Sequence, residues 1–199
     1  MPSLDSLMSD PVLAVRPGLL LWPVAPVHAS AIFALVETNR THLREWLPWL
    51  DGCRSEIDQR AFIDAAVLRR QAGRGAVWLV EEAGVIRGVA GFNWIDPETR
   101  AGEIGYWLTE SAQGRGVMTA CARRLVDCAF DQLRLTRVTI PVAVENSRSR
   151  RLVERLGFRE EKVLPQAEWL YDHFVDHVVY AMNRPSTGTT MSSGEVPAE

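Results

Sequence analysis

The sequence predicts an α+β domain: a mixed, mostly antiparallel sheet with helices on both faces. Three observations carry that prediction. Residues 76–82 and 85–94 are apolar, β-branched stretches joined by Ala83-Gly84, the pattern of an antiparallel pair. A glycine-bearing turn over residues 112–119 separates the strand-like run 103–108 from residues 117–130, where Val117, Cys121, Leu125 and Cys128 recur at helical spacing. Residues 137–144 then read as a strand leading into another helix, so strands and helices alternate in the second half.

Taken in chain order, residues 1–10 are polar and read as a loose N-terminus. The apolar run 17–23, bounded by Pro17 and Pro23, reads as one early strand. It is too short to span a membrane, and no basic region or small-residue cleavage site adjoins it. Residues 27–39 and 56–71 have helical periodicity, with Asn39, Thr41, Ser55 and Asp58 available as breaks or caps. Between them lies the tryptophan-bearing segment 41–51. The turn Asp96-Pro97-Glu98-Thr99 leads into a third antiparallel strand over 101–108. An apolar strand over 174–182 closes the domain. Residues 185–199 are poor in large apolar side chains and read as a disordered tail, leaving one folded domain over 11–184. At 199 residues and 47% hydrophobic, the chain supplies a single sizeable core.

A net charge of −3 creates no field favouring nucleic-acid phosphates, so direct nucleic-acid binding is not expected. Cys53, Cys121 and Cys128 are an odd set without Cys-x-x-Cys spacing, which argues against a disulfide framework or zinc knuckle and for a reducing cytoplasm. Cys121 and Cys128 share a predicted helical face and read as core thiols. His28, His42, His173 and His177 lack metal-helix spacing, and no metal is expected.

A glycine turn opening a helix is where an anion binds, because unpaired N–H groups and the positive end of the helix dipole meet there. A nucleotide-hydrolase P-loop would close on Gly-Lys-Ser/Thr, and Gly116-Val117-Met118 has no lysine. A Rossmann fingerprint needs three glycines, and only Gly114 and Gly116 are present. Gln113-x-x-Gly116 resembles instead the Gln/Arg-x-x-Gly-x-Gly/Ala pyrophosphate loop of the GNAT N-acetyltransferases. Met118, in place of the final small residue and followed by Thr119, resembles the RimJ/RimL-like ribosomal-protein acetyltransferases. Three further segments are similar to that family in the same order. They are 144–149, ending in Asn146-x-x-Ser149; 151–158, closing on Gly157-Phe158; and 166–169 with the strand after it, like the family's polar turn and terminal hairpin. The similarity spans Val15 to Asn183 and is specific after Gly102 and weak before Ala76.

The resemblance implies the GNAT fold and transfer of acetyl from acetyl-CoA to a primary amine, with no metal. It places the pyrophosphate against Gln113 and the N–H groups of Gly114, Arg115, Gly116, Val117, Met118 and Thr119. Arg115 would compensate charge or stand as a solvated surface residue. It places the pantetheine arm beside Trp107, Leu108 and Thr109, on a strand edge that splays from its neighbour, with a backbone N–H near Leu108 facing the thioester oxygen. Asn146 and Ser149 would face the same arm, Asn146 being equally an N-cap, and Ser149 would support the leaving thiolate. Glu168 is the implied base, taking the amine proton directly or through water. Glu103 competes with it or is a structural partner. Acceptor recognition falls to Trp46, Trp49, Asn93, Trp94 and the loop at 169–172, although seven tryptophans can equally fill a core or a dimer seam. A protein N-terminal α-amine is the first expected acceptor and a small amine such as an amino acid, polyamine or antibiotic the second. A non-catalytic acyl-CoA-binding module is the rival of another class, and a homodimer is left open.

Overall fold

The computed structural model describes residues 12–185. The expected loose start at 1–10 and, beyond Pro185, the expected tail lie outside them. One eight-stranded sheet organises the chain in the order β1-β2-β3-β4-β5-β6-β8-β7.

β1 (Leu13–Arg16) and β2 (Leu19–Pro23) form a hairpin, so the strand expected over 17–23 begins only at Leu19 and an additional strand precedes it. Pro17 and Gly18 make its turn, with Gly18 at φ +75°, a conformation that favours glycine. β3 (Ala76–Glu82), β4 (Val85–Asp96) and β5 (Ala101–Leu108) continue the sheet antiparallel, and Glu82 pairs with Val85 across the Ala83-Gly84 turn as predicted.

Alternation along these strands makes two cores. Trp78, Phe92, Ile104, Val138 and Tyr180 point to one face, where α4 (Val117–Asp127) and α5 (Ser147–Arg155) pack. Val77, Leu79 and Val89 point to the other, beneath α1 (Ala29–Thr38), α2 (Arg40–Arg44) and α3 (Glu56–Gln71). The stripe Val117-Cys121-Leu125 is fully buried, which at about 2 kcal/mol for a leucine-sized side chain is what seats α4 on the sheet. Ser55, not Asp58, is the cap of α3: its side chain accepts the Asp58 N–H. The helix expected over 117–130 is α-helical to Asp127 and continues as a π-turn over Cys128–Gln132.

β5 and β6 (Arg137–Ala143) run parallel but pair only over Ala101–Glu103 and Arg137–Thr139. Beyond that point β6 pairs only with β8 (His173–Asn183), and a gap opens between the two strands. β7 (Arg159–Leu170) is the outer strand. It includes Gln166–Trp169, so that segment is not a turn. Leu164 pairs with His177 and Glu168 with Val175, so three residues of β7 bulge opposite Asp176 alone. Gln166, at φ +49°, donates its N–H to Asp176 Oδ1 at 2.8 Å, and this bond holds the bulge. The hairpin turns at Tyr171-Asp172.

Candidate active site

A 3-10 turn, Glu110–Ala112, carries the chain from β5 to the glycine loop. Gly114 (φ +75°) and Gly116 (φ +72°) are both left-handed, and a β-carbon at either would meet nothing within 4 Å. The backbone N–H groups of residues 114–119 bond to no other group of the described residues; the first helical bond runs from Ala120 N–H to Gly116 O at 3.1 Å. Six backbone donors without a partner among the described residues therefore lie at the positive end of α4. Val117 and Met118 bury their side chains in the core, so only their backbone is on offer, while Thr119 is half-buried.

Gln113 donates from Nε2 to His42 Nε2 of α2 at 2.6 Å, leaving its Oε1 buried without a partner. Arg115 is ion-paired with Glu82, which Arg16 and Arg87 also face at 3.8 Å each. It is thus a surface residue tied to a carboxylate. Thr109 is buried at the entry to the 3-10 turn; its N–H bonds to Arg87 O and its hydroxyl lies 3.5 Å from that of Ser111.

Across the gap, one hydroxyl pair links the strand to the helix: Tyr106 Oη of β5 lies 2.8 Å from Ser149 Oγ in the first turn of α5. Burial pushes the Tyr106 phenol up to about 12, so it stays neutral. Asn146 Oδ1 accepts the Ser149 N–H at 3.0 Å, which makes Asn146 the N-cap its residue type suggests. Its amide nitrogen has no partner among the described residues. Tyr106 was not singled out from the sequence, although the alternation that groups Glu103 with Trp107 also sends Tyr106 to the opposite face.

The other face of the gap carries the acids. Glu103 Oε1 accepts from Asn93 Nδ2 at 3.0 Å, and Asn93 sits at the β4 bulge between Phe92 and Trp94. Trp107 on the same face packs against Trp49, ring centroids 6.4 Å apart. Val178 and Tyr180 belong to the α4/α5 core, so His177 points the opposite way, and its Nε2 lies 3.6 Å from Glu168 Oε2. The two acids differ in place. Glu103 is opposite Thr139, where β5 and β6 are still paired, whereas His177 pairs with Ala143 at the open end.

The tip of the β7–β8 hairpin closes one wall: the Tyr171 hydroxyl donates to Leu47 O, and Arg44 lies 3.7 Å over the Tyr171 ring. Among the tryptophans only Trp78 is core; Trp22, Trp49, Trp94 and Trp169 are more than a third exposed, and Trp169 stacks edge-on against Phe174 at 4.8 Å. Burial pushes the Cys121 thiol up to about 12 and Cys128 to about 11, which keeps both protonated and fits core residues. Among the described residues no group of three His, Cys, Asp or Glu side chains is placed to hold a metal, and no helix is long and apolar enough to cross a membrane.

Residues 18–159 match the acetyltransferase (GNAT) domain family. The chain belongs to that family. It is 33% identical over 169 residues to the ribosomal-protein-serine acetyltransferase of Escherichia coli (strain K12), covering 85% of this chain and 94% of that protein. It is 33% identical over 141 residues to the putative ribosomal N-acetyltransferase YdaF of Bacillus subtilis (strain 168), covering 68% and 75%. Among solved structures, the ribosomal L7/L12 alpha-N-protein acetyltransferase RimL in complex with coenzyme A superposes with a TM-score of 0.84 at 30% identity, over 86% of this chain and 97% of that one.

This GNAT protein is an acetyl-CoA-dependent N-acetyltransferase, and its residues fit the cosubstrate. Six unbonded N–H donors at a helix start suit a pyrophosphate, and the orphaned Gln113 amide oxygen sits beside them; turning that amide over would let Oε1 meet His42 and present Nε2 as a further donor. The unpaired edge of β5 beyond Glu103 suits an amide-bearing arm. When bound, acetyl-CoA supplies a thioester carbonyl open to attack by an amine.

Proposed function

We propose that this GNAT domain, over residues 11–184, acetylates the N-terminal α-amine of a protein. The observation that carries this is the two-faced gap: a hydroxyl pair on the α4/α5 face, and Glu168 with His177 on the other face at its open end. The two relatives and the RimL structure bear names of enzymes acting on ribosomal proteins, which supports a protein acceptor.

Glu168 takes the proton from the acceptor ammonium, directly or through water, as the new N–C bond forms. Leu108 offers its N–H to the thioester oxygen, and Trp107 and Thr109 flank the arm. Ser149 donates a hydrogen bond to sulfur as the C–S electron pair leaves with it, while the Asn146 amide steadies the arm. Gln113 and the N–H groups of Gly114, Arg115, Gly116, Val117, Met118 and Thr119 hold the pyrophosphate. Glu103, engaged by Asn93, is assigned a structural role.

The cleft wall made by Tyr171, Leu47 and Arg44 is the acceptor side, and no nucleic acid is required there. Three free, buried cysteines support work in a reducing cytoplasm. Exposed Val163 and Leu164 on β7, whose outer edge ends the sheet, support a homodimer.

The test is an acceptor panel under saturating acetyl-CoA: peptides with a free α-amine, the same peptides N-terminally blocked but carrying lysine, polyamines, amino acids and aminosugars. Transfer to the free α-amine is expected to be fastest and blocked peptides inert. Fastest transfer to a small amine overturns the acceptor, and cofactor binding with no transfer to any of them overturns the enzyme.

A further inference from the structure

We propose that Tyr106 is a positioning residue for acetyl transfer, holding Ser149 so that the serine proton faces the departing sulfur. The proposal rests on the role given above to Ser149.

A serine hydroxyl has one proton and two lone pairs and rotates freely unless a neighbour fixes it. Ser149 has its N–H fixed on Asn146 and its Oγ 2.8 Å from Tyr106 Oη. Direction follows from the phenol. Tyr106 is packed against the core and keeps its proton, and leaving that O–H unpaired costs about 1–3 kcal/mol. Ser149 Oγ is the acceptor within reach among the described residues, so Tyr106 donates and Ser149 accepts. The serine proton is then left for a third group. Tyr106 stands on β5 and Ser149 on α5, which follows β6, so the bond spans the gap where the two strands have parted.

Tyr106 does not give up its proton. A phenol at about 12 cannot protonate a thiolate whose thiol ionises near ~8.5. Sulfur takes both electrons of the broken C–S bond and later a proton from water; the amine proton goes to Glu168. Tyr106 lowers the energy of the thiolate by making Ser149 a better, fixed donor.

The test has a reading that does not depend on turnover: ultraviolet titration of the thiol of bound CoA, with desulfo-CoA as the reference for protein groups. The charged groups of the packed elements are held elsewhere and cancel. Arg150 is on Tyr180, Val144 O and Glu160, Glu154 is on Tyr180, Arg148 is exposed, and Glu103 is on the opposite face.

In wild type the bound thiol is expected to ionise below free CoA. Tyr106→Phe should raise it by about one pH unit and lower kcat about tenfold, the scale of one hydrogen bond, with desulfo-CoA affinity unchanged. Ser149→Ala should do at least as much, and the double variant should be no worse than Ser149→Ala alone. Effects that multiply, or a Tyr106→Phe protein with wild-type titration and kcat beside an impaired Ser149→Ala, overturn the role of Tyr106. A silent Ser149→Ala overturns the role of Ser149 itself. Phe keeps the packed ring, but should that variant not fold, 3-fluorotyrosine at 106 strengthens the donor instead; the bound thiol should then ionise lower, and no shift overturns the proposal.

Discussion

At Gly116 a side chain finds open space but meets a left-handed backbone and the place proposed for a phosphate. Gly116→Asp should cost the fold only about 1–2 kcal/mol, because aspartate tolerates φ +72° better than most residues and its charge suits a helix start. The same charge would stand among the donors meant for pyrophosphate, so calorimetry should show acetyl-CoA affinity reduced at least about a hundredfold. Wild-type affinity in a folded protein would place the pyrophosphate elsewhere. Much at this scale was legible in the sequence: the glycines of the loop, Ser55 or Asp58 and Asn146 as caps, and buried rather than reactive Cys121 and Cys128. Those are positions where local backbone chemistry decides. Tyr106 and His177 were not, because a tyrosine in an apolar strand and a lone histidine gain meaning only from Ser149 and Glu168, distant in sequence and brought close by the fold.

Among the elements, the β7 bulge decides where Glu168 points. Asp176 fixes it by accepting the Gln166 N–H. Asp176→Ala should lower stability by about 1 kcal/mol, the worth of one hydrogen bond, and lower kcat/KM for the amine several-fold as Glu168 loses its register against His177. Acetyl-CoA affinity should not change, since the Asp176 bonds run to Gln166 and Val144 and not to the glycine loop. Denaturation and steady-state kinetics check both, and unaltered kinetics would detach the bulge from the chemistry. The three-strand meander and the helix–strand alternation were legible because periodicity and turn residues are local. β1 was lost beside the stronger apolar run after it, and the bulge was hidden because Gln166 adopts φ +49° only with Asp176 across the strand pair.

Across the whole molecule, the Tyr106–Ser149 hydroxyl pair and the Glu168–His177 pair lie on opposite faces of one opened sheet, the faces that the proposed function gives to cofactor and acceptor. The parting of β5 and β6 has one local sign in the sequence: Pro141 has no N–H to donate, and with the Arg137 N–H on Arg100 O and the Val144 N–H on Asp176 O, position 141 faces β5 just past Thr139, the last residue of β6 paired with it. Glu168 lies beside His177 at the open end, which is why the proposed mechanism gives it the amine proton, whereas Glu103 stays at the paired end with Asn93. An α-amine with pKa near ~7.7–8.0 is mostly protonated at neutral pH and sheds its own proton as pH rises, so the need for a base falls over that range. The deciding measurement is the pH–rate profile of Glu168→Gln and Glu103→Gln on a peptide with a free α-amine, at saturating acetyl-CoA. Glu168→Gln should be slowest near and below pH 7 and recover toward the wild-type rate as pH passes about 8, with Glu103→Gln close to wild type throughout. A pH-rescued defect in Glu103→Gln, with Glu168→Gln fully active at neutral pH, would contradict the account.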